Sequence, residues 1–239
     1  MFLLIALALM VWWLMLQKLQ TKPWLVQGIA IDSNADGAID AAFDATKHSP
    51  KTIGLGVFLV VVTALFALFA AAYHMRMAVP DWTHLPLPKI LWLNSALLAA
   101  SSIALQWAWF TSARIERTRD GAALRDDSTM RHGLVAAIGL TLAFLVGQVL
   151  AWRQLDVNGF YFSCTPASAF FYVLSALHGA HLLGGLLVLT KTTRSVYRPD
   201  CVSSIQTAAA TSLSIKLCAL YWHYLLGLWL ALYALLAFT

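Results

Sequence analysis

Residues 133–152, GLVAAIGLTLAFLVGQVLAW, carry no charged side chain and are bracketed by Arg131 and Arg153. At about 1.5 Å of rise per residue, a helix of roughly 20 residues crosses a hydrocarbon layer of about 30 Å. Four further runs have the same character: Ile53–Tyr73, Ile90–Thr111, Ala167–Thr190 and Leu217–Phe238. None of the five contains Asp or Glu. Backbone N–H and C=O groups find no water in lipid, so such runs are expected as helices. The sequence therefore predicts an all-α, polytopic transmembrane helix bundle. A pump or proton-coupled carrier usually keeps an ionisable group within its bundle. The lack of carboxylates points instead to a supporting role.

Composition agrees. Of 239 residues, 60% are hydrophobic and 11% charged, against about 25% charged in soluble domains. The formal charge of +5 does not indicate nucleic acid, because the basic residues lie in short loops between runs. Lys18, Lys22, Lys47 and Lys51 fall in 17–52. Arg114, Arg117, Arg119, Arg125 and Arg131 fall in 112–132, and Lys191, Arg194 and Arg198 in 191–212. The alternate loops are poor: 74–88 holds only Arg76 and 153–166 only Arg153. The positive-inside rule assigns the three basic loops to the cytoplasm. Trp82, Trp92, Trp107, Trp109 and Trp152 lie near run ends, where indoles favour the interface. Met1–Leu16 is apolar but lacks the basic start and the cleavage site of a signal peptide. With Gln17–Gln20 it reads as an additional uncleaved helix over 1–20, followed by a cytoplasmic linker over 21–52 and a five-helix domain over 53–239. Six spans put both termini outside. Cys164, Cys201 and Cys218 show no paired spacing and read as free thiols.

Polar residues within the runs are few. His178 and His181 are three apart and share a helix face, and His223 lies near the middle of the last run. Three histidines at similar depth suit a metal or haem ligand set. The spacing is weak evidence for ligands, and the three suit better a hydrogen-bonded polar patch with Ser175, Tyr221 and Tyr224 as partners. Asn94, Ser95, Ser101, Ser102, Gln106 and Gln148 are further candidates for interhelical hydrogen bonds, which contribute about 0.6 kcal/mol each on average. Ala180 with Gly184, and Gly227 with Ala231, have the four-residue small-residue spacing that lets helices approach closely, within the chain or with a partner. The chain has no P-loop, GxSxG, HExxH or CxxCH motif.

Several segments together resemble subunit III of the haem-copper terminal oxidases, the cytochrome c oxidase family. They are Gly54–Tyr73 (GLGVFLVVVTALFALFAAAY), Leu91–Gln106 (LWLNSALLAASSIALQ), Phe170–Gly185 (FFYVLSALHGAHLLGG) and Tyr221–Trp229 (YWHYLLGLW). The last two are similar to the family's FF…FHGLH…GG and YWHFVD…W patterns. The match runs in order through about residues 53–239. The resemblance implies a five-helix core, here with one N-terminal helix where longer members have two and hold lipid in a cleft beside them. It also implies an accessory subunit with no haem or copper of its own. Such a subunit packs on subunit I, shares a complex with subunit II and carries phospholipid, while haem and copper sit in the partner subunits. The family often carries a Ser-Glu pair, linked to proton uptake, where this chain has Val61 and Val62. It ends YWHFVD with an acid where this chain has Leu226. His178, His181 and His223 match family positions, and with Tyr221 they form an expected polar lock between the last two helices. The equivalent subunit of a quinol oxidase or of a nitric oxide reductase complex is the alternative. A free-standing carrier would need a mid-membrane charge, for which Lys216 is the only candidate, and it can snorkel.

Residues 32–40, DSNADGAID, place Asp32, Asn34, Asp36 and Asp40 at calcium-loop spacing with Gly37 at the turn. The twelfth position, which should supply a bidentate acid, is Phe43, so the segment reads better as a turn-forming linker. Isothermal titration of a peptide covering 28–48 with calcium is expected to release no heat; a saturable signal would establish a calcium loop.

Overall fold

A computed structural model of the chain describes residues 50–80, 82–83, 85–117, 123–197 and 205–238. The expected N-terminal helix, nearly all of the 21–52 linker, the calcium-like residues Asp32, Asn34, Asp36 and Asp40, and Cys201 lie outside the described residues. The described residues form five α-helices and no strand: α1 (Pro50–Met77), α2 (Ile90–Arg117), α3 (Ala123–Val157), α4 (Pro166–Val196) and α5 (Ile205–Ala237). All five are long and apolar enough to cross a membrane, which makes this a multi-pass membrane protein.

The helices outrun the apolar runs that define them. α3 has 35 residues, about 52 Å of helix at 1.5 Å per residue, well beyond a hydrocarbon layer of about 30 Å. Charged residues such as Arg131 and Arg153 end a run in the sequence. They do not end the i to i−4 hydrogen-bond ladder, which continues into the aqueous interface. A true stop needs a specific signal, and α4 has one at its start. Thr165 adopts an extended backbone and accepts the N–H of Ser168, while Ser168 Oγ accepts the N–H of Thr165. Pro166 follows at the first helical position, where it has no hydrogen bond to lose.

The chain divides into two compact units, Met1–Ala71 and Ala72–Thr239. The described part of the first is most of α1. It presents Val57, Phe58, Val61, Leu65 and Leu68 outward and returns the Thr63 hydroxyl to its own helix, Oγ1 donating to Leu59 O at 2.7 Å. Both features suit a helix facing acyl chains.

In the second unit α2 to α5 close a ring: α2 packs on α3, α3 on α4, α4 on α5, and α5 back on α2. The core is built from Leu91, Leu98, Leu105, Leu134, Phe144, Phe171, Leu182, Trp222 and Trp229, all 1% exposed or less. α2 and α3 share the most extensive contact and run antiparallel. Ser101 Oγ reaches Ala137 O at 3.0 Å and Thr141 Oγ1 at 2.8 Å. Toward the other end the Asn94 amide lies over Gly147, where a Cβ would stand 2.1 Å from Asn94 Oδ1. At the basic end of the bundle two cations lie over aromatic rings of neighbouring helices. The Arg131 guanidinium of α3 is 5.0 Å from the Tyr197 ring centre just past α4, and Lys216 Nζ of α5 is 5.8 Å from that of Trp109 on α2.

Two adjacent glycines of α4 face opposite ways. A Cβ on Gly185 would stand 2.5 Å from the Tyr221 ring and 3.1 Å from that of Trp222, whereas one on Gly184 meets nothing within 4 Å. Both rings are anchored by hydrogen bonds and cannot retreat freely. Gly185→Ala is therefore expected to destabilise the folded bundle by about 1–3 kcal/mol through overpacking, and Gly184→Ala to stay within about 0.5 kcal/mol. Thermal unfolding of the two variants in one detergent checks both.

Candidate functional site

The polar residues of the second unit converge on the interior of the ring, and tryptophan organises them. An indole N–H is a donor only, and in lipid it must find an acceptor within protein. Trp229 Nε1 of α5 donates to Ser95 Oγ of α2 at 2.9 Å, and Ser95 donates on to Leu91 O at 2.9 Å. Trp222 Nε1, two turns earlier, donates to Thr141 Oγ1 of α3 at 3.1 Å, and Thr141 donates to Ala137 O at 2.8 Å. Trp152 Nε1 of α3 donates to Ser175 Oγ of α4 at 2.9 Å, and Ser175 donates to Phe171 O at 2.5 Å. In each relay the hydroxyl spends its hydrogen on the carbonyl four residues back in its own helix and offers its lone pair to an indole of another helix. Asn94 Nδ2 adds a fourth tie, to Gln148 Oε1 at 3.3 Å between α2 and α3.

The three histidines point in three directions. His178 is fully buried, its ring tilted 31° on Trp229 at 5.2 Å and edge-on to Phe144 at 5.9 Å. Neither of its ring nitrogens has a hydrogen-bond partner. His181, on the following turn, bonds through Nδ1 to Leu177 O of its own helix at 2.7 Å, and its backbone carbonyl accepts Tyr221 OH at 3.0 Å. That Tyr221 bond joins α4 to α5. His223 turns toward α2 instead, with Nδ1 2.5 Å from Ser102 Oγ. Ser175, a candidate partner for His178, holds Trp152. Among the described residues no group of three or more His, Cys, Asp or Glu side chains is placed to hold a metal. The small-residue positions Ala180, Gly184 and Gly227 are exposed, and Ala231 is half-buried. The glycine that α5 covers is Gly185.

Sequence reasoning named Ser95, Ser101, Ser175 and Gln148 as polar span residues but missed the two tryptophans that engage this interior, Trp222 and Trp229. A signal was available. Both lie well inside a membrane span, away from the interface belt, where an indole implies a hydroxyl opposite it. The belt itself is mixed. Trp92 and Trp107 are 68% and 64% exposed, while Trp152 turns its N–H inward.

No family model matches the chain. It is 27% identical over 229 residues to cytochrome c oxidase subunit 3 of Synechocystis sp., covering 92% of this chain and 89% of that protein. It is 27% identical over 223 residues to a probable cytochrome c oxidase subunit 3 of Mycobacterium tuberculosis, covering 86% and 98%. With cytochrome c oxidase subunit 3 of Thermostichus vulcanus it shares 26% over 221 residues, covering 88% and 97%. Curated relatives so named, at 24–27% identity over most of the chain, are consistent with the subunit III family that the sequence motifs resemble.

A buried imidazole with two unpartnered nitrogens carries an unreturned desolvation cost, about 1–3 kcal/mol for a polar group. His178→Phe keeps the ring contacts with Trp229 and Phe144 and removes that cost, so the melting temperature of the purified protein is expected to hold or rise. A clear fall would show that the nitrogens are hydrogen-bonded in the folded protein.

Proposed function

We infer that this chain is the accessory, non-catalytic subunit III of a proton-pumping terminal oxidase of the cytochrome c oxidase type, working in aerobic electron transport. The observation that carries this reading is its similarity to proteins named cytochrome c oxidase subunit 3 along nearly their whole length and its own. That name favours the cytochrome c oxidase reading over a quinol oxidase or nitric oxide reductase equivalent.

In this reading the subunit holds no haem or copper, and those centres belong to partner subunits. It packs chiefly on subunit I, shares the complex with subunit II and holds phospholipid against its apolar faces. The absence of Asp and Glu from its apolar runs supports a scaffold in place of a redox or ion-moving element. The polar ties fit the same role. Tyr221 to the His181 carbonyl locks α4 to α5, and the tryptophan relays fix α2 against α5 and α3 against both α4 and α5. The chain resides in a bacterial inner membrane with loops 21–52, 112–132 and 191–212 in the cytoplasm and its C-terminus outside.

A tag on this chain, extraction in mild detergent and an absorbance spectrum of the purified material test the assignment. Haem bands carried by separate copurifying polypeptides are expected. Oxygen consumption or cation transport by the isolated chain in vesicles, or a Soret band that stays with it alone, would overturn it.

A further inference from the structure

His223 sits at the midpoint of the α5 span Ala210–Ala237, about 20 Å of helix from either end, which places it near the centre of the bilayer. Its side chain is nevertheless exposed on the outer surface of the ring. Nδ1 is satisfied by the buried Ser102. Nε2 has no partner among the described residues. A neutral imidazole has one N–H and one bare lone pair. Whichever way the proton is shared with Ser102, the outward nitrogen presents an unused donor or acceptor where acyl chains offer neither. Polar groups at this depth usually face protein or a water-filled cavity. Lys216, Leu220, His223, Gly227 and Leu230 are all exposed and recur at alternating spacings of four and three, the period of a helix–helix seam. Leu220 and Leu230, 52% and 49% exposed, flank the imidazole. On the following turn Gly227 would admit a neighbour closely, because a Cβ there meets nothing within 4 Å.

We propose that this face of α5 docks a transmembrane helix of another subunit, one that sets a hydrogen-bonding side chain against His223 Nε2 at mid-membrane. The site makes His223 a two-sided connector, with Ser102 of its own chain on one nitrogen and the neighbour on the other. Only the partner's identity as an oxidase subunit rests on the proposed function.

The test uses the whole complex in native membranes. A photo-reactive benzophenone side chain placed at Leu220 or Leu230 is expected to form an adduct with another membrane-spanning polypeptide. After detergent extraction, retention of the chain in the complex is expected to fall several-fold for His223→Leu and to recover with His223→Gln. Ser102→Ala, which removes only the intrachain bond, is expected to retain the chain as the parent does. Adducts with lipid alone or with a second copy of this chain would overturn the proposal. So would a Ser102→Ala loss equal to that of His223→Leu, which would trace the effect to folding of this chain. An adduct with a membrane protein outside any oxidase would uphold the docking face and overturn the assignment of function instead.

Discussion

Hydrocarbon offers no hydrogen-bond partner, and the interior of this protein is arranged around the indole N–H groups that must find one there. Trp229 and Trp152 each reach a hydroxyl on an adjacent helix, and Trp222 reaches one across the ring. Those three bonds tie α2 to α5, α3 to α5 and α3 to α4. Apolar contact alone would not fix these pairings, since lipid tails are as apolar as leucine. Ser95, Thr141 and Ser175 are therefore register marks, each accepting one indole at one height along the bundle.

The helices were legible from sequence because membranes forbid charge, and the runs at 53–73, 90–111, 133–152, 167–190 and 217–238 fall inside observed helices apart from Phe238 at the last end. Their ends were not legible, since a run stops where the lipid stops and a helix stops only at a cap such as Thr165. The interior was half legible. Composition identified the polar residues, but pairing depends on helix rotation, which a spacing of three or four does not fix. Gly184 fits the small-residue pattern and faces outward, while Gly185, one position later, takes the Tyr221 ring. His178 and His181 share a face in the sequence. In the structure, though, one ring packs against Phe144 and Trp229 while the other bonds its own helix.

The departures from the family pattern are consistent with this interior. Where the pattern carries Glu, this chain has Val62, and where it carries Asp, Leu226. Ties made from tryptophan, serine, threonine and tyrosine need no charge to be buried, and a desolvated ion pair commonly loses more on leaving water than it regains by pairing. A neutral network holds helices in place whatever the pH on either side of the membrane.

The direction of the relays has an electrical consequence. A proton wire needs members that both receive and pass on a hydrogen, with freedom to reorient between turns. Indole can only give, and the hydroxyl it meets has already committed its hydrogen to a carbonyl, as Ser95 does to Leu91 O. Each chain of bonds thus ends at a backbone oxygen after two steps. The indole relay that ties α2 to α5 through Ser95 gives a proton no onward donor.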